Sequence, residues 1–142
     1  MKPTLQPGIA ATHTFDVAVA NTVPQLAIDR SSFNDIPDVL ATAYMIAMME
    51  GASAKALRPH LDEGEGSLGV LVNVSHLAAT VPGQMVTVTS EVMAVEGRKI
   101  TFRVTAHDGM DRIGEGTHQR MIVPWRRFKD GVAAKAKRVR EG

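Results

Sequence analysis

The sequence predicts an α+β fold in which a curved antiparallel sheet wraps around a single long helix. Three observations carry this. One long apolar stretch, Val39 to Met49, has no charge and is bounded by Pro37 and Pro59. After it the period of apolar residues changes from 3.6 to 2, and four alternating runs follow. The signals between those runs, Pro82-Gly83, Glu96-Gly-Arg-Lys99 and Asp108-Gly109, are all short turns, which join antiparallel rather than parallel strands.

The elements are placed in order. His13 to Val19 alternates, with Phe15, Val17 and Val19 on one face, and reads as a first strand. Residues 20–37 read as irregular, punctuated by Asn21, Pro24, the Ser31-Ser32 pair and Pro37. A helix is expected from Pro37, which loses nothing at a helix start, to Arg58, just before Pro59. A helix this apolar should be covered on most of its circumference. Four strands are expected next, at 68–78, 85–95, 100–106 and 112–123, paired in sequence order as a meander. In the first, Val70, Val72, Val74 and His76 share a face, so His76 is expected to point inward.

Composition sets the bounds. At 142 residues, with 44% hydrophobic and 22% charged residues, the chain fits one globular domain. The longest uncharged stretch is short of a membrane span, and the N-terminus lacks the apolar core of a signal peptide. Cysteine is absent, which excludes disulfides, thiolate metal sites and a cysteine nucleophile. The expectation is a cytoplasmic protein without a membrane partner. Seven Lys/Arg face only Asp130 and Glu141 between Trp125 and Gly142. With no nucleic-acid motif and few interleaved aromatics, this reads as a solvated basic tail, and no nucleic-acid partner is expected. The domain is placed at 1–128 and the tail at 129–142.

Several motifs are set aside. Gly64-Glu-Gly-Ser-Leu-Gly69 matches G-x-G-x-x-G, but a helix precedes it and a strand follows, the reverse of a dinucleotide site. Gly69, at a strand start, is where bare backbone could approach a ligand oxygen. No G-x-S-x-G elbow is present. The five histidines show neither H-E-x-x-H nor H-x-H spacing, so no metal is expected and no cofactor is implied.

The residue that calls for an explanation is Glu50, the sole charge between Asp38 and Lys55. A carboxylate there should be partly desolvated, and an unpaired buried carboxylate is costly. Thr42 lies eight residues earlier, so the two side chains fall within about 80° of each other and can border one cleft. Each residue has a plain structural explanation: a hydroxyl bonded back to the helix, a carboxylate paired with an arginine, a hydrogen-bonded core histidine at 76 and another at 118. Together, a hydroxyl, a carboxylate and an inward histidine are the parts of an acid/base site.

These residues sit in a longer pattern: Phe33-x-x-x-Pro37-Asp-Val-x-Ala-Thr42-x-x-Met45-x-x-x-Met49-Glu50, then Glu63-Gly-Glu-Gly-Ser-Leu-Gly69. It continues with His76-x-Ala-Ala-Thr80-x-Pro-Gly83, Val95-Glu-Gly-Arg-Lys-Ile100, Ala106-His-Asp-Gly109 and Ile113-Gly-x-Gly-Thr-His-Gln-Arg120. From about residue 8 to Phe128 the chain resembles the hot-dog-fold thioesterases, and within them the fluoroacetyl-CoA thioesterases. The resemblance implies a hot-dog fold and hydrolysis of an acyl-CoA thioester. It implies Thr42, Glu50 and His76 as the catalytic set, with Thr42 positioning the carboxylate. Glu50 would be nucleophile or base for water, and His76 would activate water or protonate the leaving thiolate. Gly69 would help hold the thioester carbonyl, and Arg120 would lie near the site. Phe33 and Ile36 fall at acyl-pocket lid positions. The pattern has a second phenylalanine where this chain has Ile36, and tryptophan where it has Gly51. A looser pocket follows, and a short-chain acyl-CoA rather than fluoroacetyl-CoA is expected as main substrate. An edge strand left open by such a sheet favours a homodimer.

Two other classes compete. A hot-dog lyase would need an Asp/His pair near the helix, and none occurs between residues 30 and 58. A non-catalytic acyl-CoA-binding or sensing module would bind acyl-CoA without releasing thiol.

Overall fold

In the computed structural model, residues 1–26 and 30–142 are described. Five strands, β1 (Ala10–Asp16), β2 (Glu65–His76), β3 (Met85–Glu96), β4 (Lys99–His107) and β5 (Arg112–Pro124), form one antiparallel sheet. A short helix, α1 (Arg30–Phe33), precedes the long helix α2 (Thr42–Leu57), and α3 (Trp125–Glu141) ends the chain. The α+β architecture expected for the hot-dog fold is present.

The sheet order is β1-β3-β4-β5-β2. The meander expected for the last four strands therefore holds for β3, β4 and β5 but not for β2, which pairs with β5 at the far edge. Local turn chemistry suggested a hairpin at Pro82-Gly83, but the eight residues of 77–84 form a crossing connection. Eight extended residues reach about 26 Å, well beyond the roughly 14 Å of three strand spacings. That connection is anchored throughout. Leu77 donates to the Ile113 carbonyl (2.7 Å), Leu40 to that of Thr80 (2.8 Å) and Gly83 to that of Val17 (2.8 Å). The Thr80 hydroxyl donates to the buried carboxylate of Asp108 (3.0 Å), which also accepts from the Met110 and Asp111 amides.

Alternation in β3 and β4 gives the sheet its helix-facing side. Val86, Val88, Val92, Ile100, Phe102 and Val104 are fully buried there. Against them α2 places Met45, Met49, Ala52, Ser53 and Ala56, the spacing of one helical face. Gly114 of β5 makes the close approach possible, because a Cβ there would lie 2.6 Å from the Met45 sulfur. Truncating Phe102 to alanine would cost about 3–5 kcal/mol by opening this core.

Other expectations shift. The helix starts at Thr42, not Pro37: Asp38 lies in a bend, the Val39 N–H donating to the Pro37 carbonyl (2.8 Å), Leu40 is tied to Thr80 and Ala41 is extended. β1 lies three residues earlier than expected, ending at Asp16; Val17 is buried just past it, and Val19 is exposed in a 3₁₀ turn. The 20–37 segment holds two 3₁₀ turns and α1, and its residues 27–29 fall outside the described residues. Within the chain, α2 is covered on one side only: Ala43, Ala47, Gly51 and Lys55 form an exposed row. The basic segment is a helix rather than a loose tail, solvated as expected, and the boundary placed at Phe128 falls inside it. No helix among the described residues is long and apolar enough to cross a membrane.

Candidate active site

Two clusters of polar side chains stand on the helix-facing side of the sheet. The first is at the start of α2. Thr42 is the first helical residue, so its hydroxyl has no preceding helical turn to bond to, and it meets His76 Nδ1 at 2.7 Å instead. His76 is half-buried at the end of β2, and its Nε2 is buried without a hydrogen-bond partner. Burial pushes this imidazole below its ordinary pKa, opposed by the Ala78 backbone. The cleft beside the pair measures about 400 Å³ and is lined by Val23, Val39, Leu40 and residues 77–79.

The second cluster is two turns further along α2. Glu50 Oε1 lies 3.4 Å from Arg120 Nη1 and 4.0 Å from His118 Nε2. Its side chain is 42% exposed, so the carboxylate is partly buried as expected, and the arginine partner weighed from the sequence is present. Arg120 is buried. Its Nε donates to Ser67 Oγ (2.8 Å), its Nη2 to the Ser67 carbonyl (3.0 Å), and its Nη1 lies 3.2 Å from His118 Nε2. Burial pulls the guanidinium below its usual pKa and Glu50 pulls it back; arginine nonetheless stays charged. His118 is lowered chiefly by burial and further by Arg120, so its contact with Glu50 is that of a neutral ring rather than an ion pair.

Gly69 completes this cluster. A Cβ there would run into Glu50 Oε1 and would come within 3.3 Å of His118 Cε1 and 3.4 Å of Arg120 Nη1. The carboxylate therefore rests against bare backbone. The register shift between Gly69 and Leu71 makes Val70 a bulge residue, 54% exposed, which removes it from the face expected for it. Val72, Val74 and His76 pair with His118, Gly116 and Gly114 on the inner side.

The structure thus unites Thr42 with His76, and Glu50 with Gly69 and Arg120. The two groups lie about 12 Å apart along the helix axis, eight residues at 1.5 Å each. Thr42 takes His76 as partner rather than the Glu50 carboxylate that the family pattern assigned to it. Phe33 closes α1 and Ile36, whose N–H donates to the Phe33 carbonyl (3.2 Å), sits in the turn beyond; both are half-buried, and neither lines the cleft at Thr42. Sequence reasoning missed Ser67 and left His118 as a structural histidine. The available signal was their parity: residues 118, 120 and 122 alternate inward on β5. No group of residues able to hold a metal is found among the described residues.

The model of the fluoroacetyl-CoA-specific thioesterase family matches residues 19–126. The fluoroacetyl-CoA thioesterase of Streptantibioticus cattleyicolor is 44% identical over 135 residues, covering 95% of this chain and 97% of that one. A threonine-to-serine mutant of a fluoroacetyl-CoA thioesterase, solved in complex with acetyl-CoA, superposes with a TM-score of 0.88 at 44% identity, over 92% of this chain and 98% of the other. A hypothetical protein from Thermus thermophilus, a thioesterase superfamily member, reaches a TM-score of 0.90 at 28% identity, with 99% of each chain covered. With a match spanning most of its length and relatives this similar, the chain belongs to the fluoroacetyl-CoA-specific thioesterase family, hot-dog-fold hydrolases of acyl-CoA thioesters.

Proposed function

We propose that the chain hydrolyses a short-chain acyl-CoA, with Glu50 as the reacting carboxylate. The observation that carries this is the position of Glu50 Oε1, held by Arg120 and resting against the bare backbone of Gly69. A thioester carbonyl seated over Gly69 has the carboxylate beside it, with the Gly69 N–H as oxyanion donor. Glu50 either attacks the carbonyl carbon, giving an acyl-carboxylate anhydride that water then opens, or takes a proton from the attacking water. In both courses the C–S bond breaks and the CoA thiolate takes up a proton. That proton comes from water: His76, neutral and hydrogen-bonded to Thr42, takes it at its unpartnered Nε2 and then passes it to the thiolate.

The working form is a homodimer joined through β2. This strand lies at the sheet edge and exposes Val70, Leu71 and Val72 at 54%, 44% and 42%. Such an edge is a template for pairing with a second copy. Antiparallel pairing of β2 with itself centred near residues 72–73 carries Gly69 and Glu50 of one chain toward Thr42 and His76 of the other, which closes the 12 Å separation of the two clusters.

Thiol release from an acyl-CoA panel tests the reaction: Glu50→Gln and His76→Ala should each lose it. Tight acyl-CoA binding by the unaltered protein without thiol release from any member would replace hydrolysis by sensing. Mixing the two inactive variants tests the shared site. Exchange should restore activity, because one site of the mixed dimer then has both an intact Glu50 and an intact His76. Single turnover in ¹⁸O-water separates the two roles of Glu50, since label enters its carboxylate only if it is acylated.

A further inference from the structure

We propose that His118 is a positioning residue for Glu50, acting through Arg120. The inference rests on Glu50 being the reacting carboxylate. His118 Nδ1 lies 2.8 Å from the Leu71 carbonyl, which can only accept, so the ring proton is on Nδ1. Nε2 is then a bare lone pair, and it faces Arg120 Nη1 at 3.2 Å. Arg120 Nη1 carries two protons; one reaches Nε2 and the other Glu50 Oε1 at 3.4 Å. Ser67 holds the other side of the guanidinium through its hydroxyl and its carbonyl. The guanidinium is thus gripped on two sides, and the looser contact to Glu50 follows from where the grip leaves Nη1.

The imidazole is itself fixed. It is 1% exposed, and its ring stacks on Phe102 with centroids 6.2 Å apart and planes 26° apart. The Leu71 carbonyl comes from the residue just after the Val70 bulge, so β2 sets the tautomer of a histidine on β5. Ring orientation, tautomer and acceptor position follow in turn, and the last of these places the cation beside the carboxylate. A charged His118 would turn Nε2 into a donor and push Arg120 Nη1 away.

Two amide variants separate positioning from mere structure. Glutamine reaches the Nε2 position and can offer its oxygen to Arg120. Asparagine reaches the Nδ1 position; it can donate to the Leu71 carbonyl but offers nothing to Arg120. In acetyl-CoA hydrolysis, His118→Asn should lower kcat about ten-fold or more with KM changed by less than about three-fold, and His118→Gln should stay within about three-fold of the unaltered enzyme. The Arg120 Nη1 protons should remain protected from exchange in His118→Gln and lose protection in His118→Asn. Equal activity of the two variants, or Arg120 Nη1 protons equally protected in both, overturns the proposal. Glu50→Gln in the same series isolates the parent reading: undiminished hydrolysis by that variant removes Glu50 from the chemistry. The exchange measurement still reports whether His118 holds Arg120.

Discussion

Gly69 and His76 face the same side of β2 although they stand seven positions apart, an odd number. A regular strand would turn them to opposite faces. The Val70 bulge absorbs one residue, so Gly69 meets Glu50 while His76 meets Thr42 on one surface.

Gly69→Ala tests the closeness of this arrangement. The added methyl would displace the Glu50 carboxylate, a half-exposed side-chain tip that can move without unfolding the chain. We expect an unchanged far-UV CD spectrum and a kcat reduced about a hundred-fold, the scale of a 1 Å misplacement. A kcat within about two-fold of the unaltered enzyme would contradict the assigned seat of the carbonyl.

Arg120→Lys keeps the charge but loses the fork that reaches Ser67, His118 and Glu50 together. Loss of about ten-fold or more in kcat is expected, with melting temperature reported alongside. Full activity would show that charge alone suffices.

Acid should weaken the fold before the carboxylates titrate. His76 and His118 lie below the ordinary imidazole value because burial disfavours their charged forms. The unfolded chain takes up protons near pH 6.5, where these folded rings do not, so stability falls as pH drops through that value. Urea midpoints from about pH 8 to about pH 5.5 should decline, and less steeply in His118→Gln. A flat profile would mean that the rings titrate alike in both states.

Nothing lies within 4 Å of where a Cβ would stand on Gly51, an exposed position in the middle of α2. Gly51→Ala should therefore stabilise the protein by about 0.5–1 kcal/mol, read from urea unfolding. The pair Ile36→Phe and Gly51→Trp should raise the preference for fluoroacetyl-CoA over acetyl-CoA, measured as the ratio of kcat/KM. An unmoved ratio would place selectivity elsewhere.

A chain ending at Phe128 should fold and keep its thioesterase activity. It retains Trp125, whose ring covers Gly66, and no residue of α3 is buried. Insoluble or inactive truncated protein would make α3 part of the catalytic domain.

How much of this was legible follows from the range of each interaction. The apolar period located α2 and the strands to within a few residues, because burial of alternating or helical faces is written locally. The place of β2 beside β5 was not, since strand order depends on where an eight-residue connection runs. The bulge at Val70 escaped for a related reason: it is defined by pairing with Arg120 and Gln119, fifty residues away. Glu50 stood out as a lone charge in an apolar run. Its grip by Arg120, itself held by His118 and Ser67, joins α2, β5 and β2, and no spacing records it.

Thr42 and Glu50 belong to one helix, whereas Phe33 and Ile36 belong to the segment before it. The proposed reacting groups and the residues that the family pattern places at the acyl pocket are thus carried by different pieces of chain, joined through residues 37–41. On the proposed mechanism, exchanges at 33 or 36 would reshape what is admitted without altering α2, which carries both Thr42 and Glu50. In such a layout, substrate preference drifts by single substitutions and the chemistry is inherited intact.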